Sequence, residues 1–443
     1  MSEWDGWIAA VIPGGARRFR VDEDGLAATL AAAGGELVDE QPDVEIGAAD
    51  TLRGDAACAV VPISPTLPEG DRRLVRAARR VAAYARASFA ATRARRALLR
   101  RGYGGISIVR WDIEQLLRRP GPDRRPRLRA AERLAGGAVV VGTRGSAGPT
   151  VLDEAGAAAA RAVGLPRIDT RWPTVRGSGV LVTRDEERVL RVGVGPERQE
   201  IRRHCGALEL LAAAAPPAAV ADRAPRVEAH GETGLAYWSL ERRLAGEEPR
   251  ALDAGLKLDC VEFLVALHPC GGGTQDQSLV ASAEIVGRHC APHSADGLVA
   301  LAARLEAALA GLPRGFGHGD FWHGNLLVDG GRLRGVVDWA AAGPGRLPLL
   351  DVLGLLVGER GSRYFGRTLH DYLLPWARAG GDDLSRDYCR RLDLDVGAAE
   401  LEALAIAYWL DRAARELETY ADRVRRPAWL RANVLDVVPA LTK

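Results

Sequence analysis

The spacing of apolar and polar residues changes character along the chain. Ile8 to Ile12 reads as a short strand ended by the turn Pro13-Gly14-Gly15, and Asp24 to Ala33 repeats its apolar positions at helical spacing. Ala57 to Ile63 is an apolar run of buried-strand type, and Asp71 to Arg101 is a long helical stretch rich in Ala and Arg. Gly105 to Trp111 and Ala138 to Gly142 predict further strands, with a helix over 127–134 between them. Strands alternating with helices predict an α/β layer for residues 1–150. From 165 to 245 the pattern turns to strands: Thr174 to Thr183, Arg188 to Val194, and two more around His230 and Tyr237 to Glu241, with a helix from Glu197 to Ala213 inserted. Leu244-Ala245-Gly246 reads as a hinge. Residues 246–443 are mainly helical, most clearly over Ala251 to Leu267, Leu298 to Leu309, Leu349 to Val357, Tyr364 to Ala379 and Ala398 to Val424.

One stretch breaks the helical run. Between Gly315 and Asp351, the apolar segments Asn325 to Val328 and Leu333 to Val337 flank Asp329-Gly330-Gly331, which predicts a β-hairpin. Asp320 precedes Asn325 by five residues and Asp338 by eighteen, so a hairpin carries Asn325 at its entry and Asp338 just past its exit. A loop carboxylate, an amide oxygen and a second carboxylate are what phosphoryl transfer asks of a protein. One group orients the acceptor hydroxyl, and hard oxygen ligands hold the magnesium that bridges the phosphates.

The run His318-Gly319-Asp320-Phe321-Trp322-His323-Gly324-Asn325, followed by Val336-Val337-Asp338-Trp339 and Pro348-Leu349-Leu350-Asp351, resembles the aminoglycoside phosphotransferase and choline kinase-like family. The resemblance implies an α+β, protein-kinase-like bilobal fold: a small β-rich N-lobe over 165–245 and a helical C-lobe over 246–443, preceded by the α/β domain. It implies Asp320 as catalytic base, Asn325 and Asp338 as magnesium ligands, and His318 as a brace for the loop. Asp351 can cap the helix it opens or hydrogen-bond the catalytic loop. Gly177-Ser178-Gly179, between two strands, lets backbone amides approach phosphates.

The family carries a strand lysine paired with a helix glutamate. Arg191 stands at the lysine's place here, and either Glu200 or His204 at the glutamate's. Arginine keeps the charge but is bulkier than an ammonium. Two readings follow: an active kinase with a rearranged nucleotide clamp, or a kinase-fold scaffold with little turnover. Trp322, His323 and Asp411 are candidate acceptor contacts, Asp411 having a surface carboxylate paired with Arg412 or Arg415 as its plain alternative. Asp259, Glu262, His268 and Glu284 are weaker candidates, each more at home on a solvated helix face.

Composition narrows the rest. The formal charge of +2 across 443 residues argues against a dedicated nucleic-acid surface, and the arginines are a compositional habit, since Lys257 and Lys443 are the only lysines. The cysteines Cys58, Cys205, Cys260, Cys270, Cys290 and Cys389 contain no C-x-x-C pair and read as reduced thiols of a cytoplasmic protein. Cys270 and Cys290 near His268, His289 and His293 fit no common zinc spacing. The acidic start and the lack of a long uncharged apolar run predict neither a signal peptide nor a membrane span. Residues 1–150 suggest a non-catalytic accessory domain, since no G-x-G-x-x-G follows a strand and Gly142 to Ser146 lacks a P-loop lysine. A nucleotide- or methyl-donor-binding ancestry, and with it a bifunctional enzyme, stays open. The expected activity is ATP- and magnesium-dependent transfer of a γ-phosphoryl group to a hydroxyl of a small polar molecule such as a sugar or an aminoglycoside-like compound. The acceptor itself and the oligomeric state are not legible.

Overall fold

The computed structural model describes residues 12–22, 24–47, 51–53, 56, 58–63, 93–101, 103, 105–111, 137–143, 148–168, 170, 174–175, 180–249, 251–271, 278–360, 364–419, 424 and 426–442. The predicted strand at Ile8 to Ile12, the helix over 127–134, most of the helix from Asp71 to Arg101 and the Gly177-Ser178-Gly179 turn lie outside them, Ile12 and 93–101 excepted. The chain divides into two compact units, residues 1–202 with 228–241 and residues 203–227 with 242–443.

The first unit holds two sheets. Strands β1 (Arg18–Val21), β2 (Glu36–Leu37), β3 (Val44–Ile46), β4 (Cys58–Ile63), β5 (Gly105–Trp111) and β6 (Gly137–Thr143) form one, in the order β2-β1-β3-β4-β6-β5. The pairs β1–β2, β1–β3 and β3–β4 are parallel, and β6 runs antiparallel to both β4 and β5. Helix α1 (Asp24–Ala32) links β1 to β2. Parallel neighbours need such crossovers, which bears out the α/β expectation for this segment. Arg20 and Glu45, cross-strand partners on β1 and β3, form a buried ion pair of 3.2 Å. Glu45 also accepts the Arg53 N–H at 2.6 Å, and Arg20 Nε donates to the Asp39 carbonyl at 3.1 Å. Burying both charges is tolerable because backbone groups complete their hydrogen bonds.

Helix α2 (Val151–Ala162), not foreseen from the sequence, opens on a capping box in which Thr150 and Asp153 bond each other's backbone N–H. The second sheet has the order β10-β11-β9-β8-β7, built from β7 (Thr174–Val175), β8 (Leu181–Arg184), β9 (Arg188–Val194), β10 (Val227–Thr233) and β11 (Ala236–Arg242). Phe19, Leu30 and Val44 from the first sheet region share one core with Val151, Leu190, Val192, Val194, Trp238 and Leu240.

Helix α3 (Glu197–Ala213) follows β9 over the span predicted for it. In the second unit, α4 (Ala254–Leu267), α5 (Leu279–Gly287) and α6 (Pro292–Ala308) precede the hairpin, with Asp253 and Ser278 as N-caps of the first two. Then come β12 (Gly315–Gly317), the hairpin β13 (Leu326–Asp329) and β14 (Arg332–Val336), and β15 (Gly343–Arg346), which pairs antiparallel with β12. Helices α7 (Leu350–Glu359) and α8 (Ala398–Thr419) complete the main scaffold, residues 420–423 of the span predicted to Val424 lying outside the described residues. Phe263, Phe321, Trp339 and Trp409 are among the largest fully buried side chains, in one core that joins these elements. Gly246, the predicted hinge, has φ +101°, and a Cβ there would lie 2.8 Å from the Val328 carbonyl oxygen, so only glycine fits. The α+β expectation holds. No helix among the described residues is long and apolar enough to cross a membrane.

Candidate active site

The hairpin register does the first part of the assembly. Leu326 pairs with Val336, and the Val337 N–H donates to the Asn325 carbonyl at 2.9 Å, so the hairpin closes with Asn325 and Asp338 at the same end. Asn325 is buried, and its Nδ2 donates to the Asp320 carbonyl at 2.9 Å and to Asp320 Oδ2 at 3.1 Å. The amide thereby fixes one carboxylate oxygen of Asp320. Asp338 has φ +71°, a left-handed conformation that costs an aspartate on the order of 1 kcal/mol or more.

His318 ties the loop together. It is fully buried, its backbone N–H donates to Asp351 Oδ2 at 2.7 Å, and the Gly319 N–H donates to Asp351 Oδ1 at 2.8 Å. Asp351 in the first turn of α7 therefore clamps the backbone of His318 and Gly319 with both oxygens. His318 Nδ1 lies 3.3 Å from the Asp320 N–H and accepts it, so Nε2 carries the proton and donates to the Val337 carbonyl at 3.1 Å. Its ring meets Phe321 and Trp339 edge-on. Burial pushes the His318 pKa down, against the opposing pull of Asp351, Asp320 and Asp338. Gly319 has φ +79°, and a Cβ would sit 2.3 Å from the Ala341 carbonyl oxygen. No other residue fits between His318 and Asp320.

The remaining sequence candidates separate. His204 is buried and its Nδ1 accepts the Trp339 N–H at 3.1 Å, bracing the residue next to Asp338. In the other unit, Arg191 Nε donates to Glu241 Oε1 at 2.9 Å, and Ser239 donates to the same oxygen at 2.8 Å. Glu241, only 2% exposed, comes from a neighbouring strand and was not foreseen as a partner. Trp322 lies against Gly358 of α7 and meets the His323 ring edge-on at 4.8 Å. Asp259 accepts from Arg332 Nε at 2.7 Å and from the Leu333 N–H at 3.0 Å, so it holds the hairpin. His268 sits against Gly315, and burial is the main cause lowering its pKa.

Asp411 is bound to Arg346 at 2.8 Å and lies 3.9 Å from Arg415. Arg415 in turn donates to the Gly319 carbonyl, and Arg412 donates to the Tyr408 hydroxyl at 2.8 Å. Arg346 was missed: it lies on β15, whose pairing with β12 no spacing in the sequence announces. No group of three or more His, Cys, Asp or Glu side chains among the described residues suits a metal by itself. Mg2+ takes only one or two protein oxygens and leaves its other positions to water and phosphates, and Asn325 Oδ1 and the Asp338 carboxylate are the oxygens that this end of the hairpin offers.

Residues 178–388 match the family model described as "Phosphotransferase enzyme family", and the resemblance drawn from the loop motif is borne out over that span. No curated protein matches the chain. Among solved structures, the chain is similar to an aminoglycoside phosphotransferase APH(3'')-Id from Streptomyces rimosus in complex with ADP and streptomycin, with 14% identity, 54% of this chain and 92% of that one covered, and a TM-score of 0.39. It is also similar to aminoglycoside 2'-phosphotransferase-IIIa in a GDP complex (14% identity, 63% and 95% covered, TM-score 0.43). A thermostable mutant of aminoglycoside phosphotransferase APH(4)-Ia matches at 18% identity, 62% and 95% covered, TM-score 0.41.

Proposed function

We propose that the chain transfers the γ-phosphoryl group of ATP to a hydroxyl of a small polar molecule. The family match supports the reaction class. The observation that carries it is the loop itself: Asn325 holds one oxygen of Asp320, and Asp351 fixes the two residues before it. Such a carboxylate is positioned before substrate arrives, and positioning supplies most of phosphoryl-transfer catalysis.

Asp320 accepts a hydrogen bond from the acceptor hydroxyl and takes its proton as the new oxygen–phosphorus bond forms. The bond between the γ-phosphorus and the bridging oxygen breaks, and ADP leaves with the electron pair. Asn325 and Asp338 would hold Mg2+, which when bound neutralises charge on the phosphates. Arg191, oriented by Glu241, and the backbone of Gly177 to Gly179 are the proposed phosphate contacts of the small sheet.

A second reading, a kinase-fold scaffold with little turnover, draws on the same Arg191, whose charge is already matched by a buried carboxylate. ADP release from ATP, followed with and without a panel of hydroxyl compounds, separates the two. Turnover by the wild type that falls at least a hundredfold in Asp320→Asn supports the kinase, since general-base groups contribute about 10²–10⁴. Equal slow hydrolysis by both proteins supports the scaffold.

A further inference from the structure

The peptide between Gly319 and Asp320 is the joint that aims the proposed base. Gly319 has φ +79°, and a glycine crosses between backbone conformations more easily than any other residue, so the chain itself does not lock that joint. A peptide unit is planar, so turning it moves the Gly319 carbonyl and the Asp320 N–H together and swings the aspartate side chain. Both ends of this plane are held. The Asp320 N–H donates to His318 Nδ1 at 3.3 Å, and the Gly319 carbonyl accepts from Arg415 Nη1 on α8. Arg415 is held in turn. Its Nη2 lies 3.9 Å from Asp411 Oδ2, one helical turn back, and the same oxygen accepts from Arg346 Nη2 at 2.8 Å. Arg346 Nη1 donates at 3.3 Å to the carbonyl of Ala341, which follows Asp338 in the chain and packs against Gly319. The Arg346 and Asp411 side chains are 12% and 14% exposed, so water competes little for these charge-assisted bonds.

One carboxylate on α8 thus orients two arginines, one gripping the backbone before Asp320 and the other the backbone after Asp338. Resting on the phosphotransferase reading, we propose that Arg415 is a positioning residue for Asp320. It pins the Gly319–Asp320 peptide so that the carboxylate faces the acceptor hydroxyl, and Asp411 holds the arginine in place. Asp411, offered by the sequence to an acceptor, serves the loop instead.

Two readouts on the full chain test this. The sequence holds four Gly–Asp peptides, Gly54-Asp55, Gly70-Asp71, Gly319-Asp320 and Gly381-Asp382. Protein isotope-labelled at glycine carbonyl carbon and aspartate nitrogen gives one nuclear magnetic resonance correlation for each, and the one missing from Asp320→Asn belongs to the loop. That correlation should shift or split in Arg415→Gln and in Asp411→Asn while the other three stay in place. The second readout is ADP release from ATP and magnesium, with water as the acceptor. Here kcat should fall by about tenfold or more in both variants at unchanged KM for ATP, and Arg415→Lys, which keeps a charged donor, should recover part of the loss. Because Arg415 acts through Asp320, Arg415→Gln should cause no further fall in an Asp320→Asn background. An undisturbed loop correlation, an undiminished kcat, a raised KM at constant kcat, or an equal further fall in the Asp320→Asn background overturns the assignment. If Arg415→Gln does not fold, Asp411→Asn takes its place in each comparison. If wild type and Asp320→Asn hydrolyse ATP equally, the phosphotransferase reading fails, and the loop correlation alone decides whether Arg415 pins the peptide.

Discussion

At the scale of single residues, His318 shows how burial and hydrogen bonding set a group's role. It is surrounded by the carboxylates of Asp320, Asp338 and Asp351, which favour its charged form, yet burial outweighs them. A histidine whose folded pKa lies below its unfolded value of about 6.5 releases its proton on folding. It contributes stability that is present above that pH and lost as pH falls through the window down to the folded pKa. Urea midpoints measured from pH 8 to pH 5 should fall on the acid side, and His318→Gln should flatten that fall. A variant with the wild-type slope refutes the role. The residues of this loop were legible because their contacts are short-range in sequence: His318, Asp320 and Asn325 lie within one loop, and a hairpin brings Asp338 back. The Glu241 partner of Arg191, fifty residues away, was not. Nor was Arg346, which meets Asp411 across sixty-five. Pairings of that range depend on which strands and helices become neighbours, and no local spacing encodes it.

Among elements, the hairpin β13–β14 depends on a helix for its position. Asp259 on α4 accepts both from Arg332 and from the Leu333 N–H. Burial is the largest influence on its carboxyl and pushes its pKa up, but the two donors together outweigh it and the net direction is down. Asp259→Asn should lower stability by about 1–2 kcal/mol, since it weakens two hydrogen bonds to a buried acceptor. The measurement is a chemical-denaturation curve, read with nucleotide affinity as a control that should not change. A loss of nucleotide binding without loss of stability would move Asp259 into the site. Helices with repeated apolar positions, such as α3 and α4, were read close to their ends. The capping box of α2 was present as Thr150 and Asp153 but is too short a signal to stand out in an Ala-rich run. Strands β12 and β15, three and four residues of mostly glycine, arginine and proline, carry no alternation to read.

For the molecule as a whole, the sequence separated an α/β segment from a small strand-rich segment, and both kinds of sheet are present. What it did not convey is that residues of the two sheets share one core, because a common core is a property of packing and leaves no period in either segment. In the second unit, the loop, the hairpin and α7 are fixed to one another by Asp351, Asn325 and the Val337 N–H, and the proposed chemistry follows from that convergence. Paramagnetic Mn2+ in place of Mg2+ tests it most directly. The free-ion resonance is followed as protein is added to Mn2+ and ATP, for wild type, Asn325→Ala, Asp338→Asn and the remote Asp259→Asn. Binding by wild type and Asp259→Asn, weakened at least tenfold in Asn325→Ala and Asp338→Asn, is the predicted result. Equal binding of the metal–nucleotide complex by all four proteins would contradict it.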